Sequence, residues 1–447
     1  MTTGPLRRLQ QLLFGSQLKK NVSVSTMTHG LNILIALVSY PVYIRFLGFE
    51  QFSLWVTLSV VITFAMLGEL GISNAIVKYI ANAMADDDRA GIRKIISNSY
   101  YIVFLASAVI QILILLFNNQ IIRILSIPPA FVSISRSMIP LIGAGIFTFL
   151  VFDVIRGVIT GMGRLDLSNL LLTGSSAARL LFSVVLLSFK PDIFSLIYGV
   201  IITNVLLVAG GTLIIRRQSG LAAFSFTRPE PSVIKALLHF GSSIIGIQVS
   251  NLLSFPIIKI LLARMFGLEY VGFFELATKA AYAFRTLFEK GLFAIMPDIA
   301  YLSKKNAQAA EGNLQIYRKV LKLTRKLAVP ALAFFILLSV FSGFLLKLWL
   351  GPDFNSRIHG GFLLMQPAIL AGLLLLPAYY ALMASGREKH CMFEAMIRFI
   401  LTIGLMTALI LWKADFMVVF VIVSISVIVS NSYIAYIFFI NSKPGVK

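Results

Sequence analysis

The sequence predicts an all-α, polytopic membrane protein with about 12 transmembrane helices in two six-helix lobes around a central cavity. Three observations carry this prediction. Of 447 residues, 58% are hydrophobic and only 13% charged, with mean hydropathy +0.90. A soluble domain carries about 25% charged residues, so this chain cannot cover a water-facing surface and needs lipid as its solvent. Apolar runs of about 20 residues, the length a helix needs to cross a bilayer, recur from end to end. The segments between them alternate between rich and poor in Lys and Arg, as successive crossings require.

In chain order the expected spans are 22–46, 52–69, 99–119, 138–160, 169–188, 193–215, 237–262, 270–297, 327–346, 361–384, 392–411 and 416–440. The runs 97–122, 193–215 and 416–440 carry no charge, whereas the fourth and eighth spans do. Alternation through all the spans puts 24 basic residues on one face of the membrane and 8 on the other. The richer face is cytoplasmic by the positive-inside rule, so both termini are expected there. The first span is too long for a signal-peptide core and is read as a retained helix. Ahead of it, Leu6, Leu9 and Leu13 fall at helical spacing, which suits a segment lying on the membrane surface.

The formal net charge is +21. Nucleic-acid binding needs a basic patch on a solvated fold, and here the basic residues sit mostly in short segments between apolar runs, so no nucleic-acid partner is expected. That placement suits anchoring to anionic membrane lipids. A single cysteine, Cys391, excludes an internal disulfide. His29, His239, His359 and His390 lack ligand spacing, so no metal site is expected. The chain has no phosphate-loop motif. The Gly161-x-Gly163 pair meets Asp166 where a dinucleotide fingerprint needs its third glycine. These absences, and outer loops of at most about twenty residues, argue against an enzyme and predict no cofactor.

Domain organisation follows from the soluble pieces and a repeat. The expected division is an N-terminal lobe, 1–215, a cytoplasmic linker, 216–236, and a C-terminal lobe, 237–447. A basic stretch, 303–326, with Leu314, Tyr317, Leu321 and Leu323, reads as an amphipathic helix on the inner surface. The segment Ser39-Tyr-Pro-Val-Tyr-Ile-Arg45 resembles Ser254-Phe-Pro-Ile-Ile-Lys259. Further on, Phe46-Leu-Gly48-Phe-Glu50 resembles Met265-Phe-Gly267-Leu-Glu269, Glu69-Leu-Gly71 resembles Glu289-Lys-Gly291, and Gly163-Arg164 resembles Gly386-Arg387. Four matches in one order imply two halves related along the membrane normal, a design that places a transporter's site between its halves. Pro41 and Pro256 are expected to loosen matched helices.

Seven basic residues fall inside spans: Arg156, Arg179, Lys259, Lys279, Arg285, Lys290 and Arg398. A charge at mid-bilayer costs roughly 2.5–3.5 kcal/mol, so it must face protein or water. The eighth span concentrates them. At about 100° per residue, Glu275, Thr278, Lys279, Tyr282, Arg285, Thr286, Glu289 and Lys290 share an arc of about 140°. Such a stripe lines a wet cavity or pairs internally, Glu275 with Lys279 and Arg285 with Glu289. Arg179 has no acid in its own helix and is the best anion contact elsewhere. Asp153 with Arg156, and Glu394 with Arg398, are close-spaced pairs. Lys259 and Arg45 each stand near a helix end, where a cation also serves as an interfacial anchor. Polar rows on the first span (Asn21, Ser25, Thr28, Asn32) and the seventh (Gln248, Asn251, Lys259) suit helix–helix bonding and sugar contact equally well.

The run Leu-Val-Ser-Tyr-Pro-Val-Tyr-Ile-Arg-Phe-Leu-Gly-Phe-Glu-Gln-Phe-Ser-Leu-Trp at 37–55, followed by Leu67-Gly-Glu-Leu-Gly-Ile-Ser73, resembles the start of bacterial polysaccharide transporters. These are Wzx-type O-antigen flippases of the multidrug/oligosaccharidyl-lipid/polysaccharide exporter superfamily. The resemblance implies an inner-membrane protein that moves an undecaprenyl-diphosphate-linked oligosaccharide by alternating access, for O-antigen or related surface polysaccharide. It implies diphosphate contacts from Lys279, Arg285 and Arg179, then Lys290, Lys259 and Arg398, with Arg45 and Arg156 as further candidates. It also implies coupling to an ion gradient, with Glu275, Glu289 and Asp153 as proton carriers, and a polymerase and chain-length regulator as pathway partners. The alternatives are a drug exporter of the same superfamily, a membrane-embedded polymerase, and a scaffold.

Overall fold

A computed structural model describes residues 28, 30–66, 71–293, 299, 310–412 and 414–440. These residues form helices joined by short connections, with no strand among them. The helices are α1 (Gly30–Leu47), α2 (Phe49–Met66), α3 (Ile72–Ala85), α4 (Arg89–Leu116), α5 (Asn118–Ile124), α6 (Pro129–Gly161), α7 (Leu165–Phe189) and α8 (Phe194–Ser219). They continue as α9 (Pro231–Met265), α10 (Leu268–Phe293), α11 (Ala310–Leu350), α12 (Ser356–Ala384), α13 (Glu388–Trp412) and α14 (Met417–Ala435), which ends in a π-helical turn, Tyr436–Ile440. Nine helices among the described residues are long and apolar enough to cross a membrane. The remaining expected spans, 52–69, 237–262 and 270–297, fall on α2, α9 and α10.

Three expectations change. The connection that holds Lys78 is α3, a 14-residue helix too short to register as a span. It buries Ile72, Ala75, Ile76, Ile80 and Ala83 on one face. The basic stretch expected as a separate surface helix is, from Ala310 on, the first part of the 41-residue α11. The span expected from 99 starts at Arg89, because Asp88 caps α4 and accepts a hydrogen bond from the Gly91 amide at 2.8 Å.

The sequence repeat is visible in the backbone. Gly48 and Gly267 break α1 from α2 and α9 from α10 with φ of 77° and 101°. Gly163 and Gly386 end α6 and α12 with φ of 76° and 72°. A Cβ is costly in this left-handed region, so each matched glycine stops a helix at a matched place. The third match does not hold in this way: Gly71 has φ 64° and opens α3, whereas Gly291 lies within α10.

The chain divides into two compact units. One comprises Met1–Val42, Phe64–Ile121 and Ser133–Ile245. Here small residues let helices approach closely, as lipid-embedded packing requires. Gly157 and Gly161 of α6 lie against Ile76 and Ile80 of α3, and a Cβ on Gly161 would meet Ile80 at 2.7 Å. Asn32 of α1 donates to the Thr173 hydroxyl of α7 at 3.1 Å, and that hydroxyl donates to the Thr28 carbonyl at 3.3 Å. Thr28 and Asn32 therefore join helices. Asn21 and Ser25 lie outside the described residues, as do the Gln248 and Asn251 side chains. The connection 220–230 is strapped along α4. Thr227 exchanges hydrogen bonds with Ser97, its carbonyl accepts from Tyr101, and the Glu230 amide donates to Asn98 at 2.9 Å. Phe224 stacks on the fully buried Tyr100 at 4.9 Å, and Lys94 pairs with Glu230 at 2.9 Å.

The other unit comprises Tyr43–Thr63, Ile122–Val132 and Gly246–Lys447. Phe49 of α2 meets Phe273 of α10 at 4.9 Å, with Gly272 making room for Ser53. Phe274 and Phe420 pack at 5.5 Å between α10 and α14. At one end of the unit, Ile316, Val320, Ala378, Ala381, Leu382, Ile434 and Phe438 form an apolar cluster.

Candidate functional site

The charged stripe of α10 is divided between two places. Toward its start, Glu275 is buried against α9, with Lys259 Nζ at 2.9 Å and Lys279 Nζ at 3.8 Å. Lys259 is 12% exposed and Lys279 is 52% exposed, so the carboxylate holds one enclosed cation and one open to its surroundings. Ten residues further on, about 15 Å along the axis, Arg285 and Glu289 line a cavity of ≈ 210 Å³ between α9, α10, α13 and α14. Ser254, Tyr282, Arg398 and Thr402 complete its polar lining.

Each side chain there is held by its neighbours. Gly372 of α12 leaves space for the Arg285 guanidinium, which a Cβ would meet at 3.3 Å, with Asn431 alongside. The guanidinium carbon sits 5.6 Å from the Tyr282 ring centroid, a cation–π distance. Arg285 Nε is buried and has no hydrogen-bond partner among the described residues. Glu394 lies 3.6 Å from Arg398 and accepts a 2.7 Å hydrogen bond from Ser430 of α14. Tyr380 of α12 lies within electrostatic reach of Glu289 and Arg285.

The structure thus brings Lys259, Glu275 and Lys279 into one cluster and Arg285, Glu289 and Arg398 into another. Among the described residues these clusters and Glu394 hold four cations and three carboxylates, so the basic wall expected from sequence is mostly neutralised. The expected Glu275–Lys279 contact is present but secondary to Lys259. The expected Arg285–Glu289 ion pair does not form among the described residues. Instead both side chains face the same cavity. The Lys290 side chain lies outside the described residues.

Other candidates stand apart from these clusters. Arg45 is exposed at the end of α1, unlike its repeat-matched counterpart Lys259, which is enclosed. Asp153 is buried on α6 and accepts from Arg156 Nε at 2.7 Å. Arg179 is half-buried on α7. Sequence reasoning missed Ser430, Asn431, Tyr380 and Gly372. Three of the four are polar residues in apolar spans, and that was the available signal. Which of them turn inward depends on packing.

Charges buried among apolar spans, around a cavity large enough for a few small groups, define a membrane protein built to accommodate polar or charged matter inside the bilayer. The chain belongs to the polysaccharide biosynthesis protein family, whose profile matches residues 18–297. It is 20% identical over 381 residues to a Shigella flexneri protein described as "Putative O-antigen transporter", covering 83% of this chain and 87% of that one. The fold resembles a multidrug resistance MATE family transporter of the MOP superfamily in an inward-facing conformation. That match has TM-score 0.80 at 13% identity, over 95% of this chain and 97% of the other. It also resembles the lipid II flippase MurJ in an inward closed conformation, with TM-score 0.73 at 13% identity, over 93% and 86%. The resemblance to bacterial polysaccharide transporters read from the sequence agrees with that family and that relative.

Proposed function

We propose that this protein is a flippase that carries an undecaprenyl-diphosphate-linked oligosaccharide across the inner membrane by alternating access, for O-antigen or related surface polysaccharide. The observation that carries the reading is Arg285: a guanidinium on a cavity wall whose Nε is buried and unbonded among the described residues. A buried donor without a partner costs about 1–3 kcal/mol, and an arriving phosphate oxygen would remove that cost. Arginine suits this role because its planar fork meets phosphate oxygens two at a time. Family membership and the name of the Shigella relative support a polysaccharide cargo, and the name of the MurJ neighbour supports a lipid-linked one.

In this reading Arg285 and Arg398 take the diphosphate. Lys279, the more open partner of Glu275, meets it on approach, and Lys259 stays with the carboxylate. Lys290, Arg179, Arg156 and Arg45 are secondary contacts. Protonation of Glu275 or Glu289 would release neighbouring cations and so couple cargo binding to an ion gradient, with Asp153 the corresponding acid on α6. No cofactor is involved. Both termini are cytoplasmic, and a polymerase and chain-length regulator take the product. The test is complementation of a deletion strain. Arg285→Glu and Lys279→Glu should each abolish surface polysaccharide while membrane levels of the protein stay normal. Normal polysaccharide in both variants would remove the assignment. Sensitivity of the deletion strain to cationic dyes, with polysaccharide intact, would point to drug export instead.

A further inference from the structure

The 41 residues of α11 span about 61 Å at 1.5 Å per residue, twice the hydrocarbon thickness of a bilayer. Its rotation is set by packing. Ile316 and Val320 are buried in the apolar cluster at the end of the second unit, and Tyr317 stacks on Phe438 at 6.2 Å. Arg318, Lys322, Arg325 and Lys326 project from the opposite side and are exposed. Continuing along that same side at helical spacing come Val329, Leu332, Ile336 and Val340, which are 74%, 50%, 56% and 72% exposed. Exposed Lys347 closes the row.

One helix edge therefore reads basic, then apolar, then basic. Lys326 and Lys347 are 21 residues apart, about 32 Å along the axis, which matches the ≈ 30 Å hydrocarbon core. The apolar part of the edge faces acyl chains. Lys326 stands at the hydrocarbon boundary, and the row back to Arg318 rises about 12 Å through the headgroup layer. Four cations at i, i+4, i+7 and i+8 repel one another, and none of them is ion-paired among the described residues. Their placement calls for negative charge supplied from outside the chain, next to the exposed apolar surface of Val329 and Leu332.

We propose that this edge of α11 is a binding site for an anionic glycerophospholipid, whose phosphate is held by Arg318, Lys322, Arg325 and Lys326 and whose chains lie along Val329–Val340. The probe is phosphatidylglycerol in phosphatidylcholine nanodiscs containing the full-length protein, with retained lipid counted by native mass spectrometry after release. Wild type should retain phosphatidylglycerol over phosphatidylcholine. The R318Q/K322Q/R325Q/K326Q variant should lose that preference by about eightyfold, since each near-surface cation contributes to anionic-lipid attraction. A control with the same charge change at other exposed positions, R89Q/R93Q/R216Q/R217Q, should keep it. The single variants K322Q and R325Q should each weaken it about threefold, so the test survives if the quadruple variant fails to fold. Unchanged retention in the single variants, or equal loss in the control, would overturn the proposal. Displacement of the retained lipid by equimolar long-chain polyprenyl diphosphate would also overturn it, in favour of substrate capture.

Discussion

Replacing Glu275 with leucine removes the carboxylate that neutralises two lysines at once. Lys259 is 2.9 Å from it and only 12% exposed, so E275L leaves an enclosed, uncompensated ammonium. Breaking a buried pair from one side costs about 3–5 kcal/mol. K259M should cost less, about 1–2 kcal/mol, because Glu275 keeps Lys279 at 3.8 Å as a partial partner. The double variant K259M/E275L replaces the pair with apolar groups of similar size and should return to within about 1 kcal/mol of wild type. The double-mutant cycle then yields a coupling of about 5 kcal/mol. The assay is denaturant titration of the purified protein in mixed micelles. The reasoning fails if E275L unfolds with wild-type stability, or if the double variant shows the sum of the two single losses. Surface polysaccharide measured in the same strains separates the roles of the pair. If Glu275 couples transport to an ion, the double variant stays folded but inactive.

Three further outcomes follow from packing. Gly161→Val forces Ile80 aside from a distance already at 2.7 Å for the first carbon and should cost about 1–3 kcal/mol in the same titration, with Gly174→Val, which meets open space, as the mild comparison. Tyr100→Ala empties the socket that holds Phe224; a loss of about 3–5 kcal/mol is expected, with faster chymotryptic cleavage after Phe224 and Phe226 as the 220–230 strap loosens. Gly163→Ala and Gly386→Ala each place a Cβ in left-handed backbone; both should lose about 1–2 kcal/mol, by similar amounts if the two turns are equivalent.

Much was legible before any coordinates. Transfer of a segment into hydrocarbon is close to a sum over its own residues, so a run such as 193–215 announces α8 without reference to its neighbours. Gly48, Gly163, Gly267 and Gly386 were legible as repeat matches, and the structure adds that each stops a helix in left-handed backbone. Family membership could likewise be read from the run at 37–55. The short α3 escaped, because an amphipathic 14-residue helix matches neither the length nor the hydropathy of a span. So did the continuity of α11, because its basic segment and its apolar segment look like different elements until one helix carries both.

The amino-acid order by itself determined that this chain lives in lipid, where most of its long apolar helices run, and which of them carry charge, because each of those properties is a local sum. Partner choice is not local. The stripe on α10 was a single arc in sequence, yet Glu275 turns to Lys259 on α9 while Arg285 and Glu289 turn to a cavity shared with α13 and α14. Side chains about 80° apart around one helix and about 15 Å apart along it meet different neighbours, and only the packing of whole helices decides which neighbour stands where.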